Sequence, residues 1–72
     1  SLTIYPNPTN SIITINSNDN SISEVSVYDI NGRFLFQTKS SKIDISHLPT
    51  SIYLLKISLQ NGTILNRKIV KK

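Results

Sequence analysis

Residues 51–70, SIYLLKISLQNGTILNRKIV, contain two apolar runs joined by an Asn-Gly pair. Every second residue of the first run is large and apolar: Tyr53, Leu55, Ile57 and Leu59. A period of two is typical of a β-strand that buries one face. Asn61-Gly62 favours a two-residue type I′ turn, which requires positive φ at both central residues. The stretch therefore predicts a β-hairpin made of two antiparallel strands.

Five shorter runs with the same alternation precede this hairpin. The residues predicted to share a face in each run are Leu2 and Ile4, Ile13 and Ile15, Val25 and Val27, Phe34 and Phe36, and Ile43 and Ile45. Asn31-Gly32 lies between the third and fourth runs and predicts a second type I′ hairpin. The chain has twelve isoleucines and no alanine, and no run has the three-four spacing of a helix. This composition favours strands throughout.

Seven short strands in 72 residues predict two antiparallel sheets packed face to face. Pro49 cannot continue a central ladder, so His47 to Ser51 is predicted to be a crossing segment between strands. The predicted fold class is all-β, a small immunoglobulin-like antiparallel β-sandwich of about seven strands. It forms one domain over residues 1–72, and a small barrel is the alternative.

The net charge of +4 depends mainly on the end of the sequence. Four of the eight basic residues lie in the last six positions: Arg67, Lys68, Lys71 and Lys72. These charges either protect an edge strand from aggregation or form a tag read by an acidic or sheet-edge receptor. The tyrosines are separated from basic clusters, which argues against a nucleic-acid interface. The longest apolar run is four residues, so no membrane span is predicted.

Candidate catalytic and metal-binding groups are few. His47 is the single histidine, there is no cysteine, and the four carboxylates belong to different segments. A nucleophile needs a base held against it, and a thin domain has no preorganised pocket for such a pair. We therefore expect no enzyme, no metal and no cofactor. Asp29 is expected to accept backbone N–H bonds in its turn.

Four short motifs occur in a fixed order along the chain. They are YPNPT at 5–9, VSVYDINGR at 25–33, ISHLPTSIYLLKI at 45–57 and KIVKK at 68–72. In this order and spacing they closely resemble the type A C-terminal sorting domain of the type IX (Por) secretion system of Bacteroidetes. The resemblance covers essentially all of residues 1–72.

The resemblance implies a recognition element that is not an enzyme. Such domains lie at the extreme C-terminus of secreted cargo, fold as an immunoglobulin-like sandwich, and take the cargo to the outer-membrane translocon. The implied partners are the translocon and its shuttle proteins, a surface sortase that usually cuts upstream, and an N-terminal cargo domain. The implied location is the periplasm in transit, and then the cell surface or the medium.

The resemblance also assigns candidate recognition residues. They are Pro6, Asn7 and Pro8 in the opening motif, Asp29, Gly32 and Arg33 in a D-x-x-G-R motif, Leu48, Pro49 and Tyr53 in an L-P-x-G-x-Y motif, and Lys68, Lys71 and Lys72 in the basic ending. Ser51 stands where the family usually has glycine. If that position needs positive φ, Ser51 carries strain of about 1 kcal/mol.

Two other classes of function stay open from the residues alone. An immunoglobulin-like adhesion or carbohydrate-binding accessory module would bind a glycan or a cell surface directly. The chain has three tyrosines and no tryptophan, which leaves little to stack on a sugar ring. An enzyme is the third class, and it lacks a credible pair of nucleophile and base.

Overall fold

The computed structural model describes residues 2–5, 11–17 and 21–72. It contains seven strands: β1 Leu2–Tyr5, β2 Ile12–Ser17, β3 Ile22–Asp29, β4 Phe34–Thr38, β5 Lys42–Asp44, β6 Ser51–Leu59 and β7 Ile64–Lys71. No helix occurs in these described ranges. The prediction of an all-β chain from period-two alternation is confirmed.

The strands form two antiparallel sheets. One sheet has the order β1-β2-β5 and the other has the order β4-β3-β6-β7. The chain passes from one sheet to the other after β2, after β4 and after β5. The fold is therefore a small immunoglobulin-like sandwich, as predicted, and the barrel alternative is wrong.

The core lies between the two sheets and follows the predicted faces. Its buried side chains are Ile13, Ile15, Val25, Val27, Ile43, Ile45, Tyr53, Leu55, Ile57, Leu59 and Ile69. The strand β6 pairs with β3 on one side and β7 on the other, and all four of its predicted inward residues are buried. A central strand that buries one complete face is what the alternation in residues 51–59 indicated.

The shared face of Phe34 and Phe36 is a wrong prediction. Val27 pairs with Phe36 but Tyr28 pairs with Phe34, so β4 has one extra residue at this point, a β-bulge. The bulge lets Leu35 and Phe36 both pack against the core. Phe34 is 51% exposed, and its ring meets Tyr28 edge to face at a centroid distance of 5.7 Å. The two phenylalanines therefore lie on opposite faces.

The type I′ turns are a second wrong prediction. Among the described residues only Gly32 and Gly62 have positive φ, at 86° and 90°. In the first hairpin Gly32 N–H donates to Asp29 O at 2.9 Å and Asp29 N–H donates to Arg33 O at 2.9 Å. This pattern is a three-residue loop that ends in a glycine bulge. The second hairpin repeats it between Leu59 and Thr63.

The three-residue loop has a physical advantage over the type I′ turn. It needs positive φ only at glycine, whereas a type I′ turn would also place Asn31 in the left-handed region. Side-chain oxygens accept hydrogen bonds from backbone N–H groups in and directly after the two loops. Asp29 Oδ1 accepts from Asn31 N–H at 2.9 Å and from Arg33 N–H at 2.8 Å, and Asn61 Oδ1 accepts from Thr63 N–H at 2.9 Å.

The segment 45–50 crosses between the sheets. Leu48 N–H donates to Ile45 O at 3.0 Å, which closes a turn, and Tyr53 Oη donates to Pro49 O at 2.5 Å. A tyrosine at the start of a strand that bonds back to the preceding corner is the tyrosine corner of immunoglobulin-like sandwiches. Ser51 has no positive φ and begins β6, so the strain considered for it does not arise.

Candidate functional site

The strand register gathers most of the motif residues at one end of the four-stranded sheet. Antiparallel pairing brings the end of β3, the start of β6 and the end of β7 together. Asp29 pairs with Tyr53, Tyr53 pairs with Ile69, and Ser51 pairs with Lys71. We call this region, comprising residues 29–34, 48–53 and 69–72, the motif end. Motifs that are separated by about twenty residues in sequence thus lie on adjacent strands.

The Asp29–Arg33 hairpin holds a positive charge at the motif end. Arg33 Nε lies 3.1 Å from Asp29 Oδ2, and the arginine side chain is 80% exposed. The pKa of Asp29 is lowered, chiefly because its carboxylate accepts the backbone N–H of Arg33 and also because of the guanidinium and Asn31 N–H. The carboxylate therefore orients the Arg33 guanidinium through Nε, while most of the side chain is exposed to solvent.

Gly32 supports this hairpin through its backbone alone. A Cβ added at Gly32 would meet no atom within 4 Å. Glycine is therefore required at this position because of its φ of 86°, and not because a side chain would clash with a neighbouring atom. Gly32 acts by permitting the loop that positions Arg33.

The three residues assigned to the L-P-x-G-x-Y motif differ in their exposure to solvent at the motif end. Leu48 packs against the core and Tyr53 is 3% exposed, so both are internal supports of the crossing segment. Pro49 is exposed, and its carbonyl accepts the Tyr53 hydroxyl. Of these three residues, only Pro49 is exposed.

Asp44 is a support that was not singled out from the sequence. Its Oδ1 accepts Ser46 N–H at 2.9 Å at the point where the chain leaves β5. The pKa of Asp44 is lowered, first by the Ser46 hydroxyl and then by the Ser46 N–H. The signal was present as Asp-x-Ser, a spacing that favours an Asx-turn.

The basic ending spans two faces of β7. Lys68 pairs with Leu54 on the outer face, Ile69 is buried, and Lys71 is half-buried opposite Ser51. Lys72 follows the strand and is exposed. The motif end therefore includes Lys71 and Lys72, while Lys68 lies farther along the outer face. Pro6, Asn7 and Pro8 lie outside the described residues.

An open groove of about 470 Å³ crosses the outer face of the four-stranded sheet. We call it the outer groove, and it is lined by Tyr28, Leu54, Leu55, Lys56, Asn66, Arg67 and Lys68. Period-two alternation puts Tyr28 on the face opposite Val25 and Val27, but no sequence pattern places Lys56 near Tyr28. Only the pairing of β3, β6 and β7 brings these side chains together.

The described part of the chain has neither a metal-ligand cluster nor a membrane-spanning helix. Within residues 2–5, 11–17 and 21–72, no three His, Asp or Glu side chains are grouped to hold a metal ion. The same ranges contain no helix with the length and apolar character needed to cross a bilayer.

Comparison with known proteins gives one positive finding. A family model described as the secretion system C-terminal sorting domain matches residues 3–72. The match includes both sheets, the Asp29–Arg33 hairpin and the basic ending. No curated protein matches the chain.

Proposed function

The chain belongs to the family of type IX secretion system C-terminal sorting domains, and from that membership we propose that it works as a folded address read by protein–protein contact. The family is not a family of enzymes, and its domains direct export across the outer membrane toward the cell surface or the medium. The observation that carries the proposal is the family match over residues 3–72.

The proposed partners follow from this membership. The translocon and its shuttle proteins bind the folded domain after transit through the periplasm, and a surface sortase cuts on the N-terminal side of the domain. The cargo is the polypeptide attached to that side. Each step on this domain needs a docking surface, while the bond-breaking chemistry belongs to the sortase.

The motif end is the proposed surface for the export machinery. Arg33 projects an oriented guanidinium there, and Lys71 and Lys72 add charge at the end of β7, two strands from β3 in the same sheet. Fixed charges steer association and select partners more than they raise affinity. Gly32, Leu48 and Tyr53 contribute indirectly because they hold the hairpin and the crossing segment in shape.

The experiment fuses residues 1–72 to the C-terminus of a periplasmic reporter in a Bacteroidetes host that has the type IX system. We expect the reporter to reach the surface or the medium, and to stay inside a host that lacks the translocon. Retention of the fusion in the complete host would contradict the proposed function.

Charge variants of the same fusion test the surface. Arg33→Ala combined with Lys71→Ala and Lys72→Ala should lower export at least about fivefold, since oriented surface charges each contribute up to about 1 kcal/mol. The matched control is Lys39→Ala with Lys42→Ala, which removes exposed charges outside the motif end. Equal export by both sets would assign the address to another surface.

Truncation of the basic ending is a poorer test than charge removal. Deleting residues 68–72 also removes Ile69, which is 0% exposed in the core. Loss of export would then follow from unfolding as readily as from a missing contact. The charge variants keep Ile69, and circular dichroism of each purified domain shows whether the fold is retained.

The purified domain and the reporter fusion also test the adhesion or carbohydrate-binding alternative. Tyr28 and Phe34 are neighbours on the outer face, but their rings meet at 70° and form no flat platform. A sugar ring stacks on an aromatic face that is open to it. Binding of the purified domain to a glycan array, together with retention of the fusion, would favour this alternative.

A further inference from the structure

We propose that the outer groove binds an extended acidic peptide segment of an export partner, with an apolar side chain of that segment seated between Tyr28 and Leu54. The inference rests on the proposed function, because it names the chemistry of a partner that reads this domain. The groove lies on the outer face of the four-stranded sheet, and its lining residues come from three of the four sequence motifs and from residues outside them.

Tyr28, Leu54 and Lys68 of the groove belong to a row of side chains that crosses four adjacent strands and starts at Phe34, outside the groove. Phe34 pairs with Tyr28, Tyr28 pairs with Leu54, and Leu54 pairs with Lys68. Side chains directly opposite each other on one face lie about 4.5–5.5 Å apart at Cβ, so the row is continuous. It begins with two aromatic rings and ends with an ammonium group.

The apolar surface continues toward the motif end. Ile52 pairs with Val70 in the next row, and Val70 is 38% exposed. Ile30 and Phe34 at the edge are 55% and 51% exposed. Contiguous apolar surface on a small domain marks an interaction site more often than scattered single residues do.

The charges around the groove identify the partner as acidic. Three cations line it, Lys56, Arg67 and Lys68, and no carboxylate does. Arg67 has the register of an inward-facing residue, but its Nη1 donates to Asn66 O at 2.9 Å, which holds the guanidinium beside the edge of β7. Potentials across an interface are complementary, so this lining selects carboxylates.

The same charges disfavour a second copy of the chain as the occupant. Two outer grooves placed face to face would bring two sets of the same three cations together, and the chain carries a net charge of +4. Like charges in an interface oppose association. The groove is open and lies across strands, which suits an extended segment laid along the sheet face.

The test uses the 72-residue domain labelled with ¹⁵N and a synthetic peptide of about eight residues that alternates glutamate with phenylalanine and leucine. A second peptide replaces each glutamate with glutamine. We expect the acidic peptide to shift the amide signals of Tyr28, Leu54 and Lys56, and its affinity to fall as salt is raised. The amide-substituted peptide should bind at least about fivefold more weakly.

A pair of charge reversals localises the effect. Lys56→Glu should weaken binding of the acidic peptide at least about fivefold, while Lys42→Glu on the other sheet leaves it unchanged. Both lysines are exposed, so both variants should retain the fold, and their amide spectra verify it. Equal binding of the two peptides, shifts confined to β1, β2 and β5, or concentration-dependent dimerisation through this face would overturn the inference.

Failure of this inference is distinguishable from failure of the proposed function. The reporter fusion is exported or retained regardless of the peptide result. Export of the fusion together with no preference for the acidic peptide overturns the groove proposal and leaves the sorting function in place. Retention of the fusion in the complete host removes the sorting function itself.

Discussion

Tyr53 joins the crossing segment to the core through one hydroxyl. The ring is buried between the sheets while its Oη donates to Pro49 O, four residues earlier in the chain. The net contribution of a hydrogen bond of this kind to the free energy of unfolding is about 1 kcal/mol. The bond lies at the start of β6, where Ser51 pairs with Lys71 at the motif end.

Removing that hydroxyl is the first prediction at this scale. Tyr53→Phe should lower the free energy of unfolding by about 1 kcal/mol and the melting temperature by roughly 4–8 °C. Tyr28→Phe, on the outer face, is the matched control and should change both by less than about half as much. Thermal and urea unfolding followed by circular dichroism provide the comparison, and equal losses in the two variants would argue against the tyrosine corner.

The second prediction at the residue scale is that the folded domain loses stability at acid pH. The pKa of Asp29 and that of Asp44 are both lowered in the folded chain because backbone or hydroxyl donors bind the ionised carboxylates. Folding therefore favours the charged forms. Their stabilisation is present above the unfolded pKa of about 3.9, and it is lost as the pH falls through the lower folded pKa.

Denaturant titrations between neutral pH and about pH 2 should show this loss below about pH 4. Asp29→Asn should flatten the pH dependence. Arg33→Gln should retain most of it, because the largest cause is the backbone N–H of residue 33, which the variant keeps. A slope unchanged by Asp29→Asn, or abolished by Arg33→Gln, would contradict the assigned cause.

At the scale of elements, β6 organises the sandwich. It is the longest strand at nine residues, it lies between β3 and β7, and four of its side chains are in the core. The strand β7 lies at the edge of this sheet and does not bury one complete face. Arg67 pairs with the buried Leu55, but its guanidinium is held beside the strand edge. Because the Arg67 guanidinium lies beside this edge, its charge discourages pairing with other chains.

Shortening one β6 side chain is the element-scale prediction. Ile57 is 0% exposed and pairs with Val25 and Leu65. Ile57→Val should cost about 1 kcal/mol of stability and Ile57→Ala about 2–5 kcal/mol. Ile64→Val, at a position that is 52% exposed, is the matched control and should stay within about 0.5 kcal/mol. Similar costs at both positions would contradict the core described for β6.

At the scale of the whole molecule, two sheets share one core. The three-stranded sheet contributes Ile13, Ile15 and Ile43 to the same buried cluster as β6. Neither sheet has a second layer of its own among the described residues. A domain of this size has a stability of about 0.05–0.15 kcal/mol per residue, so separating the sheets would remove most of it.

The corresponding prediction is a single cooperative transition. Far-ultraviolet circular dichroism and tyrosine fluorescence should give the same midpoint in urea, and folding should take milliseconds to seconds because the pairings are distant in sequence. β2 pairs with β5 across the intervening hairpin, for example. A separate early loss of the three-stranded sheet, detected by hydrogen exchange, would contradict the shared core.

The local pattern of the sequence determined which residues form strands and which faces they bury. Period-two alternation marks Val25, Val27 and the inward residues of β6 without reference to the rest of the chain, and the ordered motifs identified the family. This information is local because the direction of a side chain in a strand depends on its own position and that of its neighbours.

The tertiary structure alone decided the turn geometry, the bulge in β4, the motif end and the outer groove. Asn-Gly is compatible with two loop lengths, and the bonds from Asp29 and the need for positive φ only at Gly32 select the longer one. Phe34 changes face because β4 has one residue more than its partner requires. Tyr28, Lys56 and Lys68 share a groove through pairing across three strands. Register between distant strands depends on the packing of the whole core, and no single segment contains it.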